Sequence, residues 1–260
     1  MRCDKIWLVI IMDKYEKFKK AIDRAKKIVV MTGAGISCPP PTNIKDFRSA
    51  DGLYSKGNEF NIPTEEILSY RFFKNHPQEF FKFYKENLVY PNALYNDAHK
   101  FFANLEKSKE VVIITQNIDG LHTKAGSSNV LEIHGSIFKN HCISCGKHYD
   151  LKNISLEDVP TCECGGIIKP NVVLYGEGLD DELLMDAREY LAYADLLIVV
   201  GTSLTVYPAA RLVKNFKGND FIIINKSNTQ YDDMATLVFH EDILDVIHNV
   251  EKKMSVGSRK

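Results

Sequence analysis

Short apolar runs ending in glycine or polar residues recur along the chain, with charged amphipathic stretches between them. Ile28-Val29-Val30-Met31, Val111-Val112-Ile113-Ile114, Leu196 to Val200 and Phe221 to Ile224 are continuous runs without apolar–polar alternation. Such runs fit strands buried on both faces. Around them, apolar positions recur at helical spacing over about 14–27, 96–108, 180–193, 208–214 and 243–252. Strands alternating with helices predict an α/β fold with a parallel sheet covered by helices on both faces.

Two segments interrupt the alternation. One, 46–98, is rich in Phe and Tyr at helical spacing, including Phe72-Phe73 and Phe80-Phe81; the other, 136–172, carries four cysteines. Both are expected to be insertions that pack together as a smaller domain, one a helical insertion and the other a metal-binding module. The large domain is then 12–45, 99–135 and 173–252, with 1–11 and 253–260 as flexible or dispensable ends. Met12 stands before the first helical stretch and is an alternative start. The aromatic stripe reads as core rather than as a substrate cage.

Cys142-x-x-Cys145 has knuckle spacing, and Gly146 follows it; Cys162-x-Cys164 is one residue tighter. Four thiolates form a soft, tetrahedral ligand set that suits Zn²⁺ and leaves no position open for water, so the expected ion is structural. Two disulfides are the competing reading, less favoured in an intracellular chain with paired cysteines. Cys3 and Cys38 stand apart as ordinary thiols.

The chain has 260 residues, enough for one large domain with a small insertion, and a formal charge of −1. That balance gives no global attraction to nucleic acid or to an anionic membrane. The apolar stretch Ile6 to Met12 is too short to span a bilayer and lacks a small-residue cleavage site. A cytoplasmic protein is expected, without direct nucleic-acid binding or a membrane partner.

Polar residues cluster where the apolar runs stop. Gly33-Ala34-Gly35 follows the first run and allows a backbone to approach a pyrophosphate closely. The third glycine of the common dinucleotide fingerprint is missing, as is an acidic residue about 20 positions on, so the ordinary dehydrogenase pattern is excluded. Gly201-Thr202-Ser203 ends another run, and Asn225, ending Phe221 to Ile224, is a candidate ribose ligand. Thr115-Gln116-Asn117-Ile118-Asp119-Gly120 follows a fourth run, and His134, a candidate general base, comes soon after. A bare turn is the plainer reading of the Asn-Ile-Asp-Gly stretch.

Gly33-Ala34-Gly35-Ile36-Ser37, Asp46-Phe47-Arg48, Thr115 to His122, His134-Gly135, the four cysteines and Gly201-Thr202-Ser203-Leu204, in that order, resemble the sirtuins, which are NAD-dependent protein-lysine deacylases. The resemblance runs from about Lys14 to His248. It implies a Rossmann-like large domain, a small domain of helices plus a zinc module, and a cleft between them for NAD and an acyl-lysine peptide. By motif, Gly33, Ala34, Gly35 and Ser37 would contact the phosphates, and Phe47 and Arg48 would belong to a mobile cofactor loop. Gln116 would reach the nicotinamide ribose, and Asn117, Ile118 and Asp119 would form the nicotinamide pocket. Gly201, Thr202 and Ser203 would bind toward the phosphate and adenosine, Asn225 and Lys226 near the adenosine ribose, and Ile243 near adenine. Val172 and Val173 would be the edge to which a substrate peptide adds a strand. His134 would be the base, His122 structural, and Cys142, Cys145, Cys162 and Cys164 the zinc ligands. The implied reaction transfers the acyl group of acyl-lysine to ADP-ribose and releases nicotinamide. An ADP-ribosyltransferase or NAD hydrolase, and a non-catalytic NAD-sensing module, are the alternatives.

The chain departs from the family pattern after Ser37. Cys38-Pro39-Pro40-Pro41-Thr42-Asn43-Ile44-Lys45 is two residues longer than usual, and its prolines stiffen the start of the loop. Asn171 replaces a common aspartate. Succinyl-preferring members carry a Tyr and, three residues later, an Arg that clamps the acyl carboxylate. The matching positions here are Tyr84 and Asn87, so uncharged acyl groups are expected.

Overall fold

The computed structural model describes residues 13–55 and 58–257. Asp13 caps the first helix, its carboxylate accepting from the Glu16 amide at 2.7 Å, and α1 (Lys14–Arg24) leads into β1 (Lys27–Thr32). With β2 (Glu110–Thr115), β3 (Val130–Glu132), β7 (Leu196–Val200), β8 (Asp220–Ile224) and β9 (Leu237–Phe239), β1 forms a six-stranded sheet in the order β3-β2-β1-β7-β8-β9. Every pairing in it is parallel.

The continuous apolar runs follow from two buried faces. Ile28, Val30, Ile113, Ile198 and Ile222 share a core with Phe18 and Ile22 of α1, Phe101 and Phe102 of α5 (Asp97–Leu105), and Val246 and Ile247 of α8 (Ile243–Gly257). Their neighbours Val29, Met31, Val112, Val199 and Ile223 point the other way, against Leu184 and Leu191 of α7 (Asp181–Tyr193) and Leu212. Each fully buried aliphatic side chain contributes about 1.5–3 kcal/mol. A polar residue in any of these runs would therefore face a helix, not water.

The sheet order reverses direction between β1 and β7, which grow outward in opposite senses from a shared seam. At such a switch point the loops leaving the carboxyl ends diverge and open a crevice. Gly33 and Gly201 begin the two loops there.

The smaller unit has its own core. Phe72 and Phe73 of α3 (Tyr70–Asn75) and Phe80, Phe81 and Tyr84 of α4 (Pro77–Asn87) pack with Ile67 of α2 (Thr64–Ile67), and with Ile137, Val172 and Leu174. Phe73 meets Phe80 edge-on at 5.2 Å. The aromatic stripe is thus core. Ile137 and Val172 come from a three-stranded antiparallel sheet, β5 (His148–Asp150), β4 (Gly135–Cys142) and β6 (Ile168–Val172).

Several expectations are corrected. The first helix ends at Arg24 because Lys27 already pairs with Glu110 in the sheet. The 208–214 stretch forms a 3₁₀ helix, Ala209–Asn215. The C-terminal segment expected to be flexible from 253 remains helical to Gly257, and Lys253 Nζ binds the Asp13 carboxylate at 2.7 Å. The expected loose ends 1–11 and 258–260, Met12 and Cys3 lie outside the described residues.

Candidate active site

The turns after β1 and β7 interlock at the switch point. Gly33 N–H donates to the Val200 carbonyl at 3.1 Å, and Gly35 N–H to the Gly201 carbonyl at 2.8 Å. A Cβ on Gly33 would sit 2.6 Å from Thr202 Cβ, and one on Gly35 2.8 Å from Gly201 Cα. Gly201 adopts φ +62°, the left-handed region that favours glycine. These glycines therefore serve close packing between two strand ends. Because the Gly33 and Gly35 amides are turned to the β7 loop, Ala34 carries the remaining amide of the Gly33–Gly35 turn.

Ser37 is buried beneath the turn. Its hydroxyl donates to Asp119 Oδ2 at 2.7 Å and accepts from Asn117 Nδ2 at 3.1 Å. Asp119 also accepts from Asn117 Nδ2 at 3.3 Å and from the Leu121 amide at 3.0 Å. Burial pushes the Asp119 carboxyl above the usual range, opposed by the Leu121, Ser37 and Asn117 donors. Ile118 accepts from the Ile137 amide at 3.0 Å, which ties this loop to the small domain.

Behind the loop runs a buried polar chain that motif reading left outside the site. His99 Nε2 is 3.4 Å from Ser37 Oγ, and its Nδ1 is 2.9 Å from Asn96 Oδ1. Its ring lies 4.9 Å from that of His122, whose Nε2 is 3.0 Å from Thr32 Oγ1. Thr32 Oγ1 donates to Thr115 Oγ1 at 2.9 Å, and Thr115 Oγ1 accepts from the Asn117 amide at 3.0 Å. Burial lowers the pKa of His99 to about 4 and that of His122 well below 6.5. Asn96-x-x-His99 is also the capping box of α5, so in the sequence it reads as a helix start.

Gln116 joins three strand ends. Its amide donates to the Thr32 carbonyl at 2.9 Å and its Nε2 to Thr202 Oγ1 at 3.1 Å, while its carbonyl lies 3.0 Å from His134 Nδ1. A carbonyl only accepts, so Nδ1 carries the proton and Nε2 is left with the lone pair. Burial lowers the His134 pKa, with the Gln116 contact opposing it, and the neutral imidazole is the resting form at pH 7. Gly135 follows at φ +79°; a Cβ there would lie 1.7 Å from the Asn171 carbonyl oxygen. Only glycine lets the chain turn from the large domain into β4 so close to β6. Val173 then donates its amide to the His134 carbonyl at 2.9 Å, whereas Val172 pairs with Gly135 and is buried in the small-domain core.

The remaining candidates lie farther along the same edge. Phe47 packs on Tyr54 at 5.5 Å, and the exposed Arg48 guanidinium lies over the Tyr54 ring at 5.3 Å. Asp46 Oδ1 accepts from the Arg48 and Ser49 amides at 3.0 and 2.8 Å, folding this loop on itself. The preceding proline stretch is anchored, with Thr42 Oγ1 donating to the Leu94 carbonyl at 2.7 Å. Cys38 is a half-buried thiol whose pKa is pushed up to about 11, first by desolvation and then by Asp46. Ser203 Oγ meets Thr205 Oγ1 at 2.8 Å. Asn225 spends its Nδ2 on the Ser227 carbonyl at 2.7 Å, and Lys226 pairs with Asp242 at 3.0 Å. Ile243, expected near adenine, is inside the core with 4% exposure.

The four cysteine sulfurs Cys142, Cys145, Cys162 and Cys164 lie within 4.8 Å of one another. Cys142 to Cys164 is 3.4 Å and Cys145 to Cys162 is 3.6 Å, far longer than a disulfide. A tetrahedron with arms of about 2.3 Å has edges of nearly 4 Å, so this set fits one structural zinc. The Ser144 amide and Tyr149 hydroxyl donate to the Cys142 and Cys162 sulfurs at 3.4 and 3.0 Å, as partners of thiolates do.

Residues 33–208 match the family model described as Sir2 family. The NAD-dependent protein deacetylase of Clostridium acetobutylicum is 48% identical over 246 residues, covering 93% of this chain and 100% of that protein. The solved structure of Sir2 with a p53 peptide and NAD+ aligns with a TM-score of 0.79 at 36% identity, covering 95% of this chain and 100% of that one. A histidine-to-alanine variant of Sir2 with a deacetylated p53 peptide and 3'-O-acetyl ADP ribose aligns with a TM-score of 0.81 at 35% identity, covering 93% and 98%.

Proposed function

The chain belongs to the Sir2 family, and from that premise we propose that it is an NAD-dependent protein-lysine deacetylase that moves the acetyl group to ADP-ribose. The observation that carries this reading is the His134 ring, fixed through Nδ1 by the Gln116 carbonyl, with Nε2 left as a base. NAD would supply a ribose whose bond to nicotinamide is displaced by the acyl oxygen; a ribose hydroxyl would then take the acyl carbon, lysine would leave as the free amine, and one water would complete the O-acyl-ADP-ribose ester. His134 Nε2 takes the proton from that hydroxyl. Its lowered pKa keeps it neutral and able to do so at pH 7.

The other residues bind and orient. Asn117 and Asp119 read the nicotinamide carboxamide, an amide and a carboxylate together matching its donor and acceptor. Ile118 lines the same pocket. Gln116 meets the adjoining ribose, and the Gly33–Gly35 turn with Gly201, Thr202 and Ser203 takes the phosphate and adenosine side. Ser37 acts by holding Asp119 and Asn117, and Phe47 and Arg48 belong to the loop over the cofactor. Asn225, Lys226 and Ile243 form the adenosine end, with Lys226 and Ile243 contributing through loop order and backbone position. Val172 and Val173 pair with the extended acyl-lysine peptide, a mode that reads backbone rather than sequence. Zinc at Cys142, Cys145, Cys162 and Cys164 holds the β4–β6 module, since a four-thiolate shell leaves no site for substrate.

Among the described residues no helix is long and apolar enough to cross a membrane. A cytoplasmic location accords with four thiols gathered for metal rather than oxidised in pairs. The test incubates purified protein with NAD and an acetyl-lysine peptide and follows products by mass spectrometry. Acetyl-ADP-ribose with free peptide supports the reading. ADP-ribose alone, or ADP-ribosylated protein, would mean hydrolase or transferase activity instead.

A further inference from the structure

Lys169 is the only lysine in the buried set of described residues, with 4% exposure. An ammonium has three donors and is costly to bury unless each is met. Lys169 Nζ lies 2.9 Å from the Val172 carbonyl, 2.9 Å from a Glu177 carboxylate oxygen and 3.1 Å from the Pro170 carbonyl. Two of those acceptors lie in the strand leading to the Val172–Val173 edge, and the third closes the turn just after it.

The β4–β6 ladder is interrupted here. The β4–β6 register runs Gly135 to Val172 and Ser136 to Asn171, then jumps to Asn140 opposite Pro170. Residues 137–139 thus bulge out of the ladder, and Pro170 has no amide to donate. The Lys169 ammonium spans Pro170 along β6 itself, donating to the Val172 carbonyl of the same strand. On the far side, Glu177 Oε2 accepts from the Leu174 amide at 2.8 Å and the Glu177 amide donates to the Leu174 carbonyl at 2.9 Å. The edge is clamped at Val172 and at Leu174. Between them, the Val173 amide holds the His134 carbonyl.

We propose that Lys169, with Glu177 as its counter-ion, is a positioning residue that sets the substrate-pairing edge and its height relative to His134. Neither side chain touches the reacting atoms. The proposal rests on the deacetylase reading and on the 172–173 edge as the peptide site. Burial lowers the Lys169 pKa and Glu177 opposes that shift, so the pair is strongest while both are charged.

The test compares Lys169→Met, Lys169→Arg and Glu177→Gln with the unmodified chain. KM for an acetyl-lysine peptide and for NAD, peptide affinity by fluorescence anisotropy without NAD, and zinc content are measured. Lys169→Met, which keeps the volume and removes the charge, is expected to raise peptide KM and Kd tenfold or more, with NAD KM within twofold and one zinc retained. Lys169→Arg should recover most of the affinity, and Glu177→Gln should fall between. Unchanged peptide affinity in Lys169→Met or in Glu177→Gln, no difference between Met and Arg, or NAD KM rising in step with peptide KM would overturn the proposal. If Lys169→Met loses its zinc, Glu177→Gln decides, because it keeps an acceptor for the Leu174 amide. An unmodified chain without deacetylation would bring down the proposed activity, while anisotropy would still judge the positioning role.

Discussion

Replacing His99 with glutamine should flatten the pH dependence of stability on the acid side. His99 is fully buried, and burial lowers its pKa from 6.5 to about 4. The unfolded chain takes up a proton at this position as pH falls through 6.5, whereas the folded chain does so only near 4. Stability held by the neutral ring is fully present above 6.5 and is lost as pH falls between those values. At about 1.4 kcal/mol per pH unit, the window amounts to about 3 kcal/mol, a large part of a domain's margin. Urea unfolding of both chains at pH 7.5, 6.5, 5.5 and 5.0 reads the effect. Protonation of the zinc thiolates weakens both chains alike and cancels in the difference. His99→Gln is expected to be the less stable protein at pH 7.5, having lost the fit to Asn96 and Ser37. Below pH 6 the unmodified chain should lose about 1.4 kcal/mol per pH unit more than the variant. Parallel profiles would refute a buried, neutral His99.

Further expectations concern the site itself. Asp119→Asn should lower kcat/KM for NAD about 10- to 100-fold in steady-state assays, the cost of a lost charged hydrogen bond, with peptide affinity within twofold. Because burial lowers the His134 pKa, the acid limb of the kcat/KM profile should fall below 6.5, and a limb above 6.5 would contradict the neutral base. Metal analysis should find one zinc per chain. Cys145→Ser should lower that content and Tm together, with activity lost through the small domain. Turnover of acetyl-lysine should exceed that of succinyl-lysine peptides, because Asn87 bonds back to the Phe83 carbonyl and offers no cation.

Much of this was legible in the sequence where one physical rule dominated. The buried runs from Ile28 and Leu196 could form little else than interior strands, and four cysteines within 23 positions carried their own chemistry. Three-residue strands such as β3 and β9 give no periodic signal, and β4 contains Lys139-Asn140-His141, which reads as loop. The 3₁₀ form of Ala209–Asn215 shares its apolar spacing with an α-helix. At the site, strand-end residues were foreseeable, but partners depended on tertiary approach. The contact of Ser37 with Asp119, for example, spans 82 positions and has no signature in the sequence. The burial of Lys169 likewise depends on the fold, which brings the Glu177 carboxylate and two β6 carbonyls to its ammonium.

Stoichiometry of a single reaction puts the chemistry to the test: nicotinamide, deacetylated peptide and O-acetyl-ADP-ribose quantified together for the unmodified chain and for His134→Ala. The three should form in equal amounts, only when NAD and acetyl peptide are both present, and His134→Ala should form no O-acetyl-ADP-ribose while keeping its zinc and its fold. Nicotinamide release without acetyl transfer by the unmodified chain, or undiminished O-acetyl-ADP-ribose from His134→Ala, would contradict deacetylation through this base.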